Sequence, residues 1–100
     1  MHFNALTPAE AERLALLLEE MGEVQQIVGK ILCHGYESFD PTKPAPPEGE
    51  TNREMLSREL GDLVFSISLL FAGKDVNEGQ VIDAARAKGL RVHKYLHHQK

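Results

Sequence analysis

The chain has 100 residues, which suits one domain and is too short for two. Apolar residues make up 42% and charged residues 26%, as in an ordinary soluble globular protein, and a single cysteine excludes an intrachain disulfide. The formal net charge is −4 and no run of Lys or Arg occurs, which argues against a nucleic-acid polymer as partner. We predict a single domain over residues 1–100.

No segment has the composition of a membrane anchor or a targeting signal. No apolar stretch approaches the roughly 18 residues that a membrane-spanning helix needs. The first residues, Met1–Asn4, lack the basic and apolar regions of a signal peptide. We therefore expect a cytoplasmic protein that does not associate with membranes.

The first predicted helix runs from about Pro8 to about His34. Thr7 suits the N-cap, Pro8 suits the first helical position, and Glu10 completes a capping box. Apolar residues then recur at helical spacing, namely Leu14, Leu17, Leu18, Met21, Val24, Val28, Ile31 and Leu32. Gly35 follows, and glycine is typical of a helix C-terminus.

A proline-rich loop is predicted over residues 35–51. Its four prolines exclude a helix or a central strand there; they are Pro41, Pro44, Pro46 and Pro47. Loops of this length are uncommon in compact domains and are often functional or disordered.

Two further helices follow the loop. The second is predicted to begin near Asn52, taken as its cap, and to end at Gly73, with an apolar face formed by Leu56, Leu60, Leu63, Ile67 and Leu70. The third is capped by Asn77, has Gln80 three residues later, and is predicted to reach about Leu96. The pattern indicates an all-α fold, a bundle of about three main helices. Because three helices leave an apolar face open, we expect a homo-oligomer to complete the core.

Two acidic segments lie on the first two predicted helices. They read Glu19-Glu20-Met21-Gly22-Glu23 and Glu59-Leu60-Gly61-Asp62. In each, two acids three residues apart share a helical face. Both pairs lie in a row with apolar residues at the spacing of a packed face; the rows are Leu16, Glu20, Glu23, Ile27 and Met55, Glu59, Asp62, Ser66, Leu69. The four acids are therefore predicted to face inward.

Inward-facing carboxylates are unfavourable unless they are paired or bind a metal. Few cations occupy matching positions, and Arg58 is expected to point elsewhere on its helix. All-oxygen ligation favours Mg²⁺ or Mn²⁺ over Zn²⁺. Gly22 and Gly61 are expected to allow the helices to approach closely beside the metal.

Two other classes of protein also carry acidic residues on helices. A non-catalytic interaction module would use them as a solvated acidic face. A di-iron carboxylate bundle would require Glu-x-x-His pairs, and neither motif contains the histidine.

The two motifs resemble those of the MazG-like, all-α nucleoside triphosphate pyrophosphohydrolases, which carry E-E-x-x-E on one helix and E-x-x-D on the next. The resemblance extends from about Leu14 to Gln99. It implies a dimer or a dimer of dimers that hydrolyses a nucleoside or deoxynucleoside triphosphate to the monophosphate and pyrophosphate. It also implies that Mg²⁺, or Mn²⁺, is held by Glu20, Glu23, Glu59 and Asp62. Glu19 would be a further ligand or the base for water.

The resemblance also suggests residues that contact the substrate. Basic residues on a late helix contact phosphates in this family, and the matching residues are Lys88, Arg91 and Lys94. A solvated basic face is the alternative. Weaker phosphate candidates are Lys30 and Arg53, and the candidates for stacking on the base are His34, Tyr36 and Phe39. A related enzyme acting on phosphoribosyl-ATP would carry the same motifs.

Overall fold

A computed structural model describes residues 4–99 and contains only helices, turns and loops over that range. Helix α1 spans Pro8–His34, α2 spans Asn52–Ala72, and α3 spans Glu78–Arg91, followed by a 3₁₀ turn at Val92–Lys94. Residues 1–3 and 100 lie outside the described residues. They include both ends of the predicted domain and all but the last residue of the Met1–Asn4 segment. No described helix is long and apolar enough to cross a membrane.

Capping boxes begin the first two helices. At α1, Thr7 accepts a hydrogen bond from the Glu10 amide at 3.1 Å, and Glu10 accepts one from the Thr7 amide at 2.8 Å. Thr51 and Glu54 repeat the arrangement at α2, with distances of 3.1 and 2.9 Å. The prediction that Asn52 caps α2 is therefore wrong by one residue. The threonine takes the cap because Glu54 lies three residues after it and completes the box.

Of the remaining helix boundaries, those at Gly35 and Asn77 are confirmed, and the end of the third helix is not. Gly35 ends α1 with a φ of 90°, which lies in the left-handed region that favours glycine. Asn77 caps α3 as predicted and accepts a hydrogen bond from the Gln80 amide at 2.9 Å. However, α3 ends at Arg91 rather than near Leu96, because the chain tightens there into the 3₁₀ turn.

The core lies between α1 and α2, which run antiparallel. Arg13 near the start of α1 bonds to Asp75 beyond the end of α2, so the two helices point in opposite directions. Ile27 and Leu70 are the two buried apolar residues among those described. The buried polar residues are Asn52, Glu59 and Ser66, all on α2. The hairpin therefore encloses an unusually polar interior.

The apolar residues of α1 divide between two sides of the helix. Five of them are exposed: Leu14, Leu18, Met21, Val28 and Leu32. We call these five the α1 outer stripe. At 3.6 residues per turn, the stripe lies opposite Glu23 and Ile27, which face α2. On α2, Leu60 of the predicted apolar face is also exposed, together with Val64.

Helix α3 projects away from the hairpin. All of its residues are exposed, and it makes no packing comparable with that between α1 and α2. The radius of gyration is 17.2 Å, against about 13 Å for a compact domain of this length. The all-α prediction is confirmed, but one chain forms a helical hairpin with a projecting third helix instead of a three-helix bundle. The apolar residues of α3 are too few and too scattered to hold it on the hairpin.

A bidentate ion pair ties the open end of the hairpin together. Arg13 Nε lies 2.6 Å from Asp75 Oδ2, and Arg13 Nη2 lies 2.8 Å from Asp75 Oδ1. Both side chains are largely buried, at 23% and 12% exposed. Because the guanidinium donates to the carboxylate, it lowers the pKa of Asp75.

Replacing Asp75 by Asn should lower the free energy of unfolding by about 1–2 kcal/mol, since a charge-assisted bidentate contact is lost. The lowered pKa of Asp75 means that this contribution is present above the unfolded pKa near 3.8 and is lost as the pH falls further. Urea unfolding should therefore show a larger difference between wild type and variant at pH 7 than at pH 3.

The matched control is Glu37→Gln, which removes the pair between Arg53 and Glu37, with side chains 58% and 71% exposed. We expect a change below about 0.5 kcal/mol there. Equal effects of the two substitutions would contradict a structural role for the Asp75 pair.

Candidate metal centre

The two acidic motifs meet between α1 and α2. Glu20 and Glu23 from α1, with Glu59 and Asp62 from α2, each offer a carboxylate oxygen, and these four atoms all lie within 4.8 Å of one another. Antiparallel packing produces this arrangement, because it sets the middle of one helix against the middle of the other. The four acids meet as predicted, but the prediction that all of them face inward is wrong for Asp62, which is exposed. We call the four residues the acidic cluster.

When all four acids are ionised, two oxygens of the acidic cluster are buried without a hydrogen-bond partner. They are Oε2 of Glu20 and Oε2 of Glu59, and Glu59 is only 9% exposed. A buried carboxylate oxygen that accepts no hydrogen bond carries a desolvation penalty of about 1–3 kcal/mol or more. A cation placed between the four residues would remove that penalty.

The prediction that Arg58 points away from the acids is wrong. Instead of pointing away, its Nη1 donates to Glu59 Oε1 at 3.2 Å and its Nη2 donates to Glu50 Oε1 at 3.0 Å. The long side chain turns back along α2, which helical spacing alone does not reveal. One guanidinium shared by two acids still leaves most of the cluster's negative charge uncompensated.

The crowding of carboxylates changes their proton affinity. Hydrogen bonding with Glu59 and repulsion from its charge raise the pKa of Glu23 to about 7. Burial first, then the charges of Asp62, Glu19 and Glu59, raise the pKa of Glu20. Near neutral pH Glu23 is therefore partly protonated.

Oxygen is the only donor element that the acidic cluster offers. No histidine or cysteine joins its four carboxylates in the described residues. Hard divalent cations such as Mg²⁺ and Mn²⁺ prefer such a set, whereas Zn²⁺ prefers nitrogen and sulfur. The two unpartnered oxygens and the donor set thus fit Mg²⁺.

The glycines of the motifs do not serve the predicted purpose within one chain. A Cβ atom added at Gly22 or at Gly61 would meet nothing within 4 Å. The two residues therefore do not bring α1 and α2 closer together. The space beside both backbones is open.

A groove leads from the acidic cluster towards the proline-rich loop. Its first part is a cavity of about 240 Å³ that Glu23 and Glu59 line together with Gln26, Ile27, Lys30 and Met55. Its second part is a cavity of about 210 Å³ lined by Lys30, His34, Ser38, Phe39, Asp40, Pro41, Asn52 and Met55. Because Lys30 and Met55 line both cavities, the two are neighbours.

Two of the three candidates for stacking on the base line the groove, and the third does not. His34 and Phe39 line the second cavity. Tyr36 does not, since the Arg53 guanidinium stacks on its ring at 4.3 Å and also bonds to Glu37 at 2.8 Å. Of the weaker phosphate candidates, Lys30 therefore lies in the groove and Arg53 is engaged elsewhere.

The remaining candidates lie at different distances from the acidic cluster. Glu19 is exposed, yet its charge contributes to the raised pKa of Glu20 and Glu23, which places it at the rim. Three candidate cations near the C-terminus, which we call the α3 cations, are also exposed: Lys88 and Arg91 lie on α3, and Lys94 lies in the 3₁₀ turn after it. One chain does not bring the α3 cations to the cluster.

Sequence reasoning missed Asn52 and Met55 as groove residues. Asn52 was assigned to a helix cap, and Met55 was placed only in the packed row of α2. Both face the groove because the loop folds back onto the start of α2, where the Asn52 amide donates to Ser38 O at 2.7 Å and the Arg53 amide donates to Tyr36 O at 2.9 Å. No local sequence pattern predicts these contacts.

No protein-family model matches the chain, and no curated protein or solved structure matches it either. The resemblance to the MazG-like enzymes therefore rests on the two acidic motifs and the weaker segments around them.

The raised pKa of Glu23 predicts how the stability of the metal-free protein depends on pH. Its pKa is about 7 in the fold and 4.5 in an unfolded chain, so the folded state holds the extra proton between those values. The free energy of unfolding should therefore fall as the pH rises from 4.5 to 7. Glu23→Gln should flatten this dependence and make the protein more stable than wild type at pH 8, as measured by urea unfolding in EDTA.

Glu12→Gln provides the comparison, because Glu12 is exposed on the same helix. It should leave the wild-type slope unchanged. An unaltered slope in Glu23→Gln would show that Glu23 does not hold the proton.

Proposed function

We propose that this protein hydrolyses a nucleoside or deoxynucleoside triphosphate to the monophosphate and pyrophosphate in a Mg²⁺-dependent reaction. The observation that carries the proposal is the meeting of both acidic motifs in one cluster with two buried, unpartnered carboxylate oxygens. The motif resemblance supplies the reaction, and the donor set supports the choice of cation.

The acidic cluster has a defined role in this proposal. Glu20, Glu23, Glu59 and Asp62 hold Mg²⁺, for which Mn²⁺ can substitute. When bound, the ion offsets the negative charge of the phosphates and lowers the pKa of a coordinated water. Glu23 must lose its proton before it can bind the cation, since a protonated carboxyl is a poor ligand.

Neighbouring residues assist the cluster. Arg58 donates to Glu59 and so holds one of its oxygens, leaving Oε2 for the cation. Glu19 lies exposed at the rim, where its carboxylate can accept a proton from the attacking water. Hydrolysis then breaks the bond between the α- and β-phosphates.

The burial of Glu59 weighs against the non-catalytic interaction module. Such a module would present its acids to solvent, where they bind partners and carry no desolvation penalty. An acid that is 9% exposed with an unpartnered oxygen is poorly placed for that role. An enzyme acting on phosphoribosyl-ATP would use the same cluster, so a substrate panel separates it from the proposal.

The direct test is pyrophosphate release from a panel of nucleoside and deoxynucleoside triphosphates and phosphoribosyl-ATP. We expect release with Mg²⁺, none with EDTA, and a loss of at least about a hundredfold in Glu59→Gln, since a ligand to the cation is removed. The rate should fall as the pH drops below 7, because Glu23 becomes protonated.

The control for activity is Glu12→Gln, which neutralises an exposed acid of α1 away from the cluster and should retain the wild-type rate. Absence of pyrophosphate from every substrate, together with no effect of Mg²⁺ on thermal stability, would refute the proposal.

We also propose that the protein is a homodimer or homotetramer. The α1 outer stripe presents five apolar side chains, with Leu18 69% and Leu32 83% exposed. Among the described residues, the 14-residue helix α3 makes no packing comparable with that between α1 and α2, and an isolated helix of that length is marginal in water. A second copy would cover both. The α3 cations would then reach an acidic cluster only from a neighbouring copy or after α3 moves.

Leu18→Glu should convert the oligomer into a smaller species in sedimentation experiments, because it places a charge within the apolar outer stripe. Helix content should persist, since Leu18 points away from α2. A wild type that sediments as a monomer would refute the proposed assembly.

A further inference from the structure

We propose that the second cavity of the groove, between Phe39 and Asn52, binds the base of the nucleoside triphosphate. The inference rests on the proposed function, because that function places the phosphates at the acidic cluster. It assigns substrate-binding roles to Phe39, Asn52 and Met55, and it excludes Tyr36 from the base site.

Continuity with the acidic cluster is the first argument. Lys30 and Met55 line both the cavity that contains Glu23 and Glu59 and the cavity that contains Phe39. Each cavity is smaller than the roughly 300 Å³ at which small-molecule sites begin, but together they exceed it. An elongated ligand with a charged end and a flat end fits such a pair of cavities.

Position along α2 is the second argument. Asn52 lies seven residues before Glu59, or about 10 Å along the helix axis at 1.5 Å per residue. The base of a nucleotide is separated from its phosphates by one sugar, so a neighbouring cavity is required. The larger hollow near Phe71 lies about 14 Å beyond Asp62 in the other direction and shares no lining residue with the acidic cluster.

The walls of the second cavity suit a heterocyclic base. Phe39 is 39% exposed and offers an aromatic face, and stacking on an aromatic ring accepts every base. Met55 adds a polarisable thioether, which makes favourable contacts with aromatic rings. The aromatic and thioether groups thus provide affinity without selecting one base.

Asn52 supplies a polar group that can read the edge of the base. Its side chain is 4% exposed, and its Nδ2 donates to Gly35 O at 3.1 Å. The backbone amide of the same residue donates to Ser38 O at 2.7 Å, so both ends of the residue are fixed. The carboxamide oxygen and the second Nδ2 hydrogen remain for a ligand in the cavity that Asn52 lines.

Lys30 lies where the two parts of the groove join. It is exposed, and it lines both cavities. Its positive charge also contributes to the lowered pKa of Asp40, after the hydrogen bonds from Thr42 to that carboxylate. An ammonium group at this point can contact the phosphate nearest the sugar, where the acidic cluster would otherwise repel it.

The test compares nucleotide binding with binding of the phosphate chain alone. Calorimetric titrations with Mg²⁺ use α,β-methylene nucleoside triphosphates with four different bases, which cannot be cleaved between the α- and β-phosphates, and inorganic tripolyphosphate. Phe39→Leu should weaken nucleotide binding about tenfold and leave tripolyphosphate binding unchanged, because it removes the flat ring. Phe39→Tyr keeps the ring and should retain nucleotide affinity.

Phe65→Leu is the matched control, since Phe65 is exposed on α2 and lines neither cavity of the groove. It should bind both ligands as wild type does, and far-UV circular dichroism should show equal helix content in all variants. Unchanged nucleotide binding in Phe39→Leu, or equal losses for nucleotide and tripolyphosphate, would overturn the base site while leaving the proposed function intact. If wild type bound neither ligand, the proposed function would fail and the base site with it.

Discussion

Repulsion among four carboxylates held between two packed helices is the interaction on which the rest of this structure depends. Helices α1 and α2 bury Ile27 and Leu70 in the same interface that holds Glu20 and Glu59, so the apolar core cannot form without crowding the acids. Protonation of Glu23 near neutral pH and the hydrogen bond from Arg58 relieve part of the repulsion. The buried oxygens that remain unpartnered are where a cation would stabilise the fold most.

This constraint explains why the hairpin is fastened at its two ends rather than at its centre. The pair between Arg13 and Asp75 holds one end, and the backbone bonds from the start of α2 to the loop at Tyr36 and Ser38 hold the other. These contacts keep the antiparallel register of the two helices. The same loop contacts shape the second cavity of the groove, which links the stability of the hairpin to the proposed binding of a base.

Much of the local structure follows from the sequence because its determinants lie within a few residues of one another. The capping box at Thr7, the glycine after His34 and the prolines of the loop fix the ends of α1 without help from the rest of the chain. The row of Glu20 and Glu23 with Ile27 likewise follows from helical spacing. The exposed outer stripe did not follow, because the apolar residues of α1 surround more of the helix than one neighbour can cover.

The sequence by itself determined the all-α class, the starts and ends of the helices to within a few residues, and the pairing of acids on one face of each of the first two helices, since short-range periodicity and capping encode each of these. That Asp62 of these acids is exposed was decided by the packing of the helices. Only the tertiary structure decided that Arg58 turns back to Glu59, that Asn52 and Met55 border a groove, that Tyr36 is occupied by Arg53, and that α3 projects from the hairpin. These features depend on contacts between residues far apart in the chain, or on which rotamer a long side chain adopts, and helical spacing carries no information about either.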